Sequence, residues 1–149
     1  MRTLVTAAVA AAMLLPTTFA QAGETPSPPD ARVYFINLED GATVESPVFI
    51  QMGLSGMGIA PVGTDVENTG HHHLLINRAP FGEGPEDDDM NENGIYADEN
   101  HRHFGGGQTE ASIELPPGTH TLQLLLGDLA HIPHDPIVMS EQITITVDE

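Results

Sequence analysis

The stretch GHHHLLIN, at residues 70–77, places three histidines at the start of an apolar run. A short, continuous apolar run is typical of a buried strand, so we predict a strand over HHLLIN, residues 72–77. Because the run does not alternate, we expect this strand at the centre of a sheet, covered on both faces. The stretch therefore predicts a β fold with histidines at one end of its innermost strand.

Alternating apolar and polar residues flank this strand, and short turn-rich segments separate them. In the segment before it, Val48, Ile50 and Met52 share one face. The predicted strands cover residues 32–37, 47–54, 72–77, 109–115, 119–128 and 138–147. No segment shows the pattern of an amphipathic helix. Six or seven short strands predict an all-β fold, an antiparallel immunoglobulin-like β-sandwich, with a small β-barrel as the alternative.

The N-terminal residues differ in composition from the rest of the chain. Residues 1–22 have a positive start, a short apolar run and an A-x-A pattern at their end, which predicts a secretory signal peptide. The apolar run is too short to span a bilayer, which needs about 20 residues, so no membrane insertion is expected after cleavage. A proline-rich tether at residues 23–31 then leads into a single domain at residues 32–149. We expect a periplasmic or secreted protein.

Charge and cysteine content limit the classes of partner. The net charge is −18, with 22 acidic residues against 4 basic ones. Such a charge argues against nucleic acid as a partner and favours attraction of cations. The alternative is a solvated acidic surface without a cation partner, which would give the same charge. The chain has no cysteine, so the core must hold the fold together unless a bound ion contributes.

The strand order of a sandwich predicts where the histidines meet. Alternating strand directions bring three segments to one end, which we call the top: the start of the 72–77 strand, the segment before residue 109 and the loop after residue 128. Seven of the eight histidines lie in these segments. They are His71, His72, His73, His101, His103, His131 and His134. The eighth, His120, is expected at the opposite end with a structural role.

The spacing of these histidines suits a metal ion. Residues i and i+2 of a strand point the same way, about 6.5–7 Å apart, so two H-x-H pairs are candidate chelates. Imidazole nitrogen suits zinc, copper, nickel and iron. Met57 and Met139 also flank the top loops, and a thioether would favour copper. The sequence thus predicts a transition-metal site, with copper favoured and zinc as the alternative.

Four separated motifs resemble a known family. GHHHLLI, HRHFGGGQTE, PPGTHTLQLLLGD and HIPHDP occur in this order and together resemble the bacterial exported family catalogued as domain of unknown function 4399. The resemblance runs roughly from Met52 to Val147 and implies a small exported domain that often stands alone. The family's histidine motifs fall on the seven histidines named above. The long acidic insert after Asn77 departs from the family pattern.

The acidic insert covers residues 79–100 and is expected to be a flexible, solvated loop whose deletion leaves the fold intact. Within it, Asp89, Asn91 and Asn93 stand at alternating positions before Gly94, as at the start of a calcium loop. The twelfth position is Asn100, where such a loop has a bidentate glutamate. Calcium is therefore a weak candidate.

Three classes of function follow from these patterns. The first is a binding module that buffers or delivers a metal ion, with the ion and another exported metal-handling protein as partners. The second is a metal-free structural or interaction domain whose histidines lock the loops. The third is a metal-dependent enzyme, for which only Glu110 and Asp135 are carboxylates close to histidines in sequence. We predict the first.

Overall fold

The computed structural model of the protein describes residues 25–148. The predicted signal peptide lies outside the described residues, as do residues 23–24 of the predicted tether. The described part is mostly β, with one short helix. Its elements are β1 (Arg32–Phe35), β2 (Ala42–Val44), β3 (Val48–Ser55), β4 (Gly58–Ile59), β5 (Thr69–Ile76), α1 (Asp87–Asn93), β6 (His101–His103), β7 (Glu110–Ile113), β8 (Gly118–Gly127) and β9 (Ile143–Val147).

The strands form two sheets. The smaller has the order β1-β3-β7, and the larger has the order β2-β9-β8-β5-β4, with β6 also paired to β5. Most neighbours are antiparallel, as predicted, but β2 pairs with β9 and β4 pairs with β5 in parallel. Both parallel partners have only two or three residues, and neither stretch was among the predicted strands.

One apolar core is shared by both sheets. From the smaller sheet, β3 buries Val48, Ile50 and Met52, as its alternation predicts. From the larger sheet, β8 contributes Leu122, Leu124 and Leu126 to the same core. Burying a side chain of this size stabilises a fold by about 1.5–3 kcal/mol, so this cluster is the main source of stability. We call it the main core.

Strand β5 is central, as predicted. It lies between β8 on one side and both β4 and β6 on the other, and seven of its eight residues are buried. Its residues alternate between two faces: Leu74 and Ile76 point into the main core, whereas Leu75 points outward. Both faces of β5 are therefore covered. The residues that cover its outer face do not belong to the main core.

The acidic insert provides that outward cover, so the expectation of a flexible, solvated loop is wrong. Helix α1 lies within the insert and buries Met90, while Phe81 and Ile95 are buried on either side of it. These three side chains pack against Leu75 and Leu125 of the larger sheet. We call these five residues the outer cluster. A helix of seven residues is too short to be stable alone, so tertiary contacts must maintain it.

The described part of the predicted tether is hydrogen-bonded to the domain. The Asp135 amide donates to the Thr25 carbonyl at 2.9 Å, and the Ser27 amide donates to the Asp135 carbonyl at 3.0 Å. The N-terminal segment therefore pairs with the loop between β8 and β9. Within residues 25–148, no helix is long and apolar enough to cross a membrane.

Candidate metal centre

Four histidines from three segments meet on the outer face of the larger sheet. His71 and His73 alternate with His72 in β5 and share the outer face with Leu75. His103 of β6 is the cross-strand partner of His73, so its side chain points the same way. His131 reaches the same place from the loop after β8. We call His71, His73, His103 and His131 the four-histidine group.

The ring nitrogens of this group are close enough to share one ion. One ligand nitrogen from each ring lies within 4.8 Å of the others. Nε2 of His73 is 3.0 Å from Nε2 of His71, which is 3.3 Å from Nδ1 of His131. Two nitrogens bound to a tetrahedral zinc ion at about 2.0–2.1 Å would lie about 3.3 Å apart, which matches these two contacts. The wider spacings, up to 4.8 Å, must shorten for all four nitrogens to share one ion.

Two glycines provide the space for these rings. A Cβ atom on Gly127 would lie 2.7 Å from Nε2 of His73, and one on Gly105 would overlap the His103 ring. Gly127 is the cross-strand partner of His71, so it lies beside the ligand nitrogens. Neither glycine was predicted from the sequence. A glycine in or beside a strand can mark close approach of another group, but it does not identify that group.

Burial keeps three rings of the group neutral. Burial, followed by repulsion from His103 and His131, lowers the pKa of His71 to about 4. Burial and the neighbouring histidines lower the pKa of His73 much further, and burial with repulsion from His131 lowers that of His103. Only the neutral ring offers a lone pair, so at pH 7 these three side chains are in the form that binds a metal.

Several buried ring nitrogens have no hydrogen-bond partner among the described residues. Within the group these are Nδ1 of His71, Nδ1 of His73 and Nε2 of His103. A buried polar atom without a partner costs about 1–3 kcal/mol, and most are satisfied in folded proteins. His71 and His73 face the other rings through Nε2, so an ion shared by the group would leave their Nδ1 atoms without that partner.

The predicted convergence of seven histidines holds for four of them. His72 shares its face of β5 with Leu74, so it lies on the opposite face of the sheet. His101 is on the correct face, with its ring 5.6 Å from that of His73, but it is outside the group whose ligand atoms converge. His134 packs over Gly70, and its Nε2 donates to the Thr69 carbonyl at 3.2 Å.

His72, His101 and His134 are all fully buried, and each has at least one ring nitrogen without a partner in the described chain. Burial lowers the pKa of His72 to about 4, and burial with repulsion from Arg78 lowers that of His101 to about 4. His72 and His101 are therefore neutral at pH 7, and His101 is the one beside the four-histidine group.

His120 lies near the other end of β8, as predicted. Its Nε2 donates to the Pro116 carbonyl at 2.8 Å, which leaves Nδ1 to accept from Nδ2 of Asn77 at 3.0 Å. Both nitrogens are satisfied, so a structural role accounts for this residue.

The carboxylates and thioethers named in the sequence analysis lie outside the four-histidine group. Glu110 is exposed on the smaller sheet, where it accepts a hydrogen bond from Gln51. Asp135 is exposed and bonds the N-terminal segment through its backbone. The Met139 sulfur contacts Gln123, and Met57 packs against the main core. Neither methionine belongs to the group, so the preference for copper rests on imidazole alone.

The candidate calcium residues lie within a helix. Asp89, Asn91 and Asn93 belong to α1, and Asp89 accepts a hydrogen bond from Asn93 at 2.7 Å. Residues two apart on a helix point in nearly opposite directions, so Asn91 faces away from the other two. The alternating geometry of a calcium loop is absent from these residues, and the expectation is not retained.

Comparison with known proteins gives one result. A search of curated proteins finds no match, and a search of solved structures finds none. A scan against protein families matches residues 50–148 to the family described as Domain of unknown function (DUF4399). This match covers most of the chain, including all of the histidines discussed above. The chain therefore belongs to the DUF4399 family.

Proposed function

We propose that this protein is an exported metal-binding domain that holds one transition-metal ion in the four-histidine group, for buffering or delivery. The observation that carries the proposal is the convergence of four imidazole nitrogens within 4.8 Å. Copper is the favoured ion and zinc is the alternative.

The electrostatics of the group support a cation as its occupant. Imidazole nitrogens offer lone pairs, and the lowered pKa values of His71, His73 and His103 keep protons from competing at these three rings at pH 7. The buried Asp128 carboxylate acts on His71 in the direction that favours a positive charge. A doubly charged ion at this place would therefore lie near one compensating charge while its ligands remain neutral.

The ligand type supports copper over other divalent ions. Affinity for a given nitrogen site rises from manganese to copper and then falls at zinc. Four imidazoles without thiolate or carboxylate suit either copper or zinc, so relative affinity and supply decide between them. Because the thioethers lie elsewhere, we propose Cu(II) as the form that binds.

Accessibility supports buffering or delivery rather than permanent retention. His71 and His73 are fully buried, whereas His103 and His131 are half-buried and form the outer side of the group. An ion could therefore enter and leave past these two ligands. The predicted signal peptide leads us to propose a periplasmic or secreted location, with another exported metal-handling protein as the partner that gives or takes the ion.

A metal-free loop lock is the second candidate. Its support is the contact at 3.3 Å between Nε2 of His71 and Nδ1 of His131, which also suits a hydrogen bond between the two rings. In that case the rings would tie the loop of His131 to β5 without any ion. The two candidates differ in whether added metal stabilises the protein.

We also propose that the two sheets form an immunoglobulin-like β-sandwich. The support is the main core shared by both sheets and the mostly antiparallel pairing. The sheet that contains β1 and β3 is curled. Two pairings of the larger sheet are parallel. An experimental structure would test this proposal, and a closed barrel would contradict it.

The test of the metal proposal is a titration of the untagged protein with Cu(II) and, separately, Zn(II). His131→Ala and His134→Ala form a matched pair, because both residues lie in the same loop and only His131 belongs to the group. We expect His131→Ala to weaken Cu(II) binding by at least about 100-fold, since even residues that only orient a ligand contribute about 10–100-fold. His134→Ala should bind within about threefold of the wild type, because His134 is outside the group and its Nε2 bonds the Thr69 carbonyl instead.

Stability measurements complete the test. An ion that binds only the folded protein raises the melting temperature, and a concentration of 100 times Kd stabilises by about 2.7 kcal/mol. We expect this increase in the wild type and in His120→Ala, and its loss in His131→Ala. If neither ion raises the melting temperature of the wild type, the loop lock becomes the better account.

A further inference from the structure

His131 differs from the other members of the four-histidine group because it lies in a loop rather than on a strand. Its φ angle is 67°, in the left-handed region that residues with a Cβ rarely adopt. The sheet fixes the other three through their strands, but it does not fix this residue. Contacts from elsewhere must therefore hold His131 in the position where its Nδ1 reaches the other rings.

Asp128 supplies most of those contacts. Its Oδ1 accepts from the amides of Ala130 and Ile132, at 2.8 and 2.9 Å. The Asp128 carbonyl accepts from the His131 amide at 3.0 Å, and the Asp128 amide donates to the Ile132 carbonyl at 2.9 Å. The backbone on both sides of His131 is thus bonded to one buried residue.

The second carboxylate oxygen is held by the N-terminal segment. The hydroxyl of Thr25 donates to Oδ2 of Asp128 at 2.6 Å. Backbone hydrogen bonds between Thr25, Ser27 and Asp135 hold this segment against the same loop. Thr25 therefore fixes the orientation of the Asp128 carboxylate from a segment 103 residues earlier in the chain.

We infer that Asp128 and Thr25 are positioning residues for His131, so the N-terminal segment completes the metal centre by fixing its fourth ligand. This inference rests on the proposed function. It assigns a role to the segment that follows the predicted signal peptide: the metal centre is fully formed only when that segment is docked on the loop.

The test uses three substitutions in the untagged protein. Thr25→Val removes the hydroxyl and keeps the shape of the side chain. Thr25→Ser restores the hydroxyl. Ser27→Ala is the matched control, because the Ser27 hydroxyl donates to the Pro136 carbonyl, at 2.6 Å, rather than to Asp128. Each variant is measured without metal, by amide hydrogen exchange, and with Cu(II), by titration and electron paramagnetic resonance.

We expect Thr25→Val to raise the exchange rates of the Ala130 and Ile132 amides, and to leave those of β8 and β9 unchanged. Its Cu(II) affinity should fall by about tenfold, as for other residues that orient a metal ligand, with an altered copper resonance spectrum. Thr25→Ser and Ser27→Ala should retain the wild-type exchange rates, affinity and spectrum.

The other outcomes separate this inference from the proposed function. If wild-type protein binds Cu(II) but Thr25→Val leaves either the amide exchange or the affinity unchanged, the positioning role is wrong and the metal centre stands. If the wild type binds no Cu(II), the proposed function fails, and the ligand role of His131 that this inference needs fails with it.

Discussion

The two faces of β5 carry the same residue type in chemically different surroundings. On the inner face, His72 lies in line with Leu74 and Ile76, which belong to the main core. On the outer face, His71 and His73 meet His103 and His131. All three histidines of the strand are fully buried, so burial does not distinguish them. The difference is in what lies opposite: apolar side chains on one face and ring nitrogens on the other.

This comparison shows how a triplet of identical residues divides into separate roles. The period of two along a strand sends His72 away from its neighbours. An inner histidine without a partner reduces stability, whereas outer histidines can gain a common partner in an ion. The chemistry of a histidine here depends on its face of the sheet and on the segments that cover that face.

The largest expected effect on stability comes from removing the residues that cover the outer face of β5. Replacing residues 83–98 by a short glycine linker removes Met90 and Ile95 and uncovers Leu75 and Leu125. We expect a loss of about 3–6 kcal/mol in the free energy of unfolding, at about 1.5–3 kcal/mol for each removed side chain. Urea unfolding followed by circular dichroism measures this loss.

A control separates packing from charge. Asp88→Asn with Glu92→Gln removes two exposed charges of the insert without changing its buried residues. This variant should remain within about 0.5 kcal/mol of the wild type. A deletion variant as stable as the wild type would contradict the packing role of the outer cluster.

The next expected effect is on metal affinity, and it comes from filling the space beside His73. Gly127→Ala places a Cβ 2.7 Å from Nε2 of His73, closer than such contacts allow, so the ring must shift. We expect Cu(II) affinity to fall by about 10–100-fold, the range found when the orientation of a metal ligand is disturbed. Isothermal titration calorimetry measures the change.

Gly58→Ala is the matched control, because its Cβ would meet Thr69 at 3.5 Å, an ordinary contact. It should bind Cu(II) as the wild type does. Equal affinity in Gly127→Ala and Gly58→Ala would indicate that the ion lies elsewhere.

The pH dependence of the metal-free protein involves buried histidines on both faces of the sheet. The pKa values of His71, His72 and His101 are about 4 in the folded protein, against an ordinary value of 6.5. Between these values the unfolded chain binds more protons, so stability falls as pH decreases from about 6.5 to about 4. Each histidine contributes at most about 1.4 kcal/mol per pH unit.

His72→Leu sharpens the comparison, because it removes one titrating group from the inner face alone. We expect a shallower loss of stability between pH 6.5 and 4, measured by urea unfolding in the presence of a chelator. Stability that is independent of pH in the wild type over this range would contradict the burial of neutral histidines.

Much of the fold follows from patterns in the sequence, and the missed parts share a physical cause. The alternation in β3 and the apolar run of β5 predict strands correctly, because their period of two is local. Helix α1 was missed because Met90 is its only buried apolar residue, so no helical period is visible. β2 and β4 were missed because strands of two or three residues leave no pattern.

The candidate site was predictable to a similar extent. The two H-x-H pairs were recognised from the spacing of strand residues, and three of their four members belong to the four-histidine group. His131 and His134 were not distinguishable, because both lie in a loop without a repeating geometry. The glycines at positions 105 and 127 contribute by lacking a side chain, and that contribution is visible only when the neighbouring rings have coordinates.

The opposite directions of His72 and of its neighbours His71 and His73 follow from the strand alone, because side-chain direction in a strand depends on local backbone geometry. Which loop histidine joins His71 and His73 depends on long-range contacts. The position of His131 depends on its hydrogen bonds with Asp128 and, through Asp128, on Thr25. Thr25 precedes Asp128 by 103 residues in the chain. Contacts between segments so distant in sequence leave no local pattern, since they form only when folding brings those segments together.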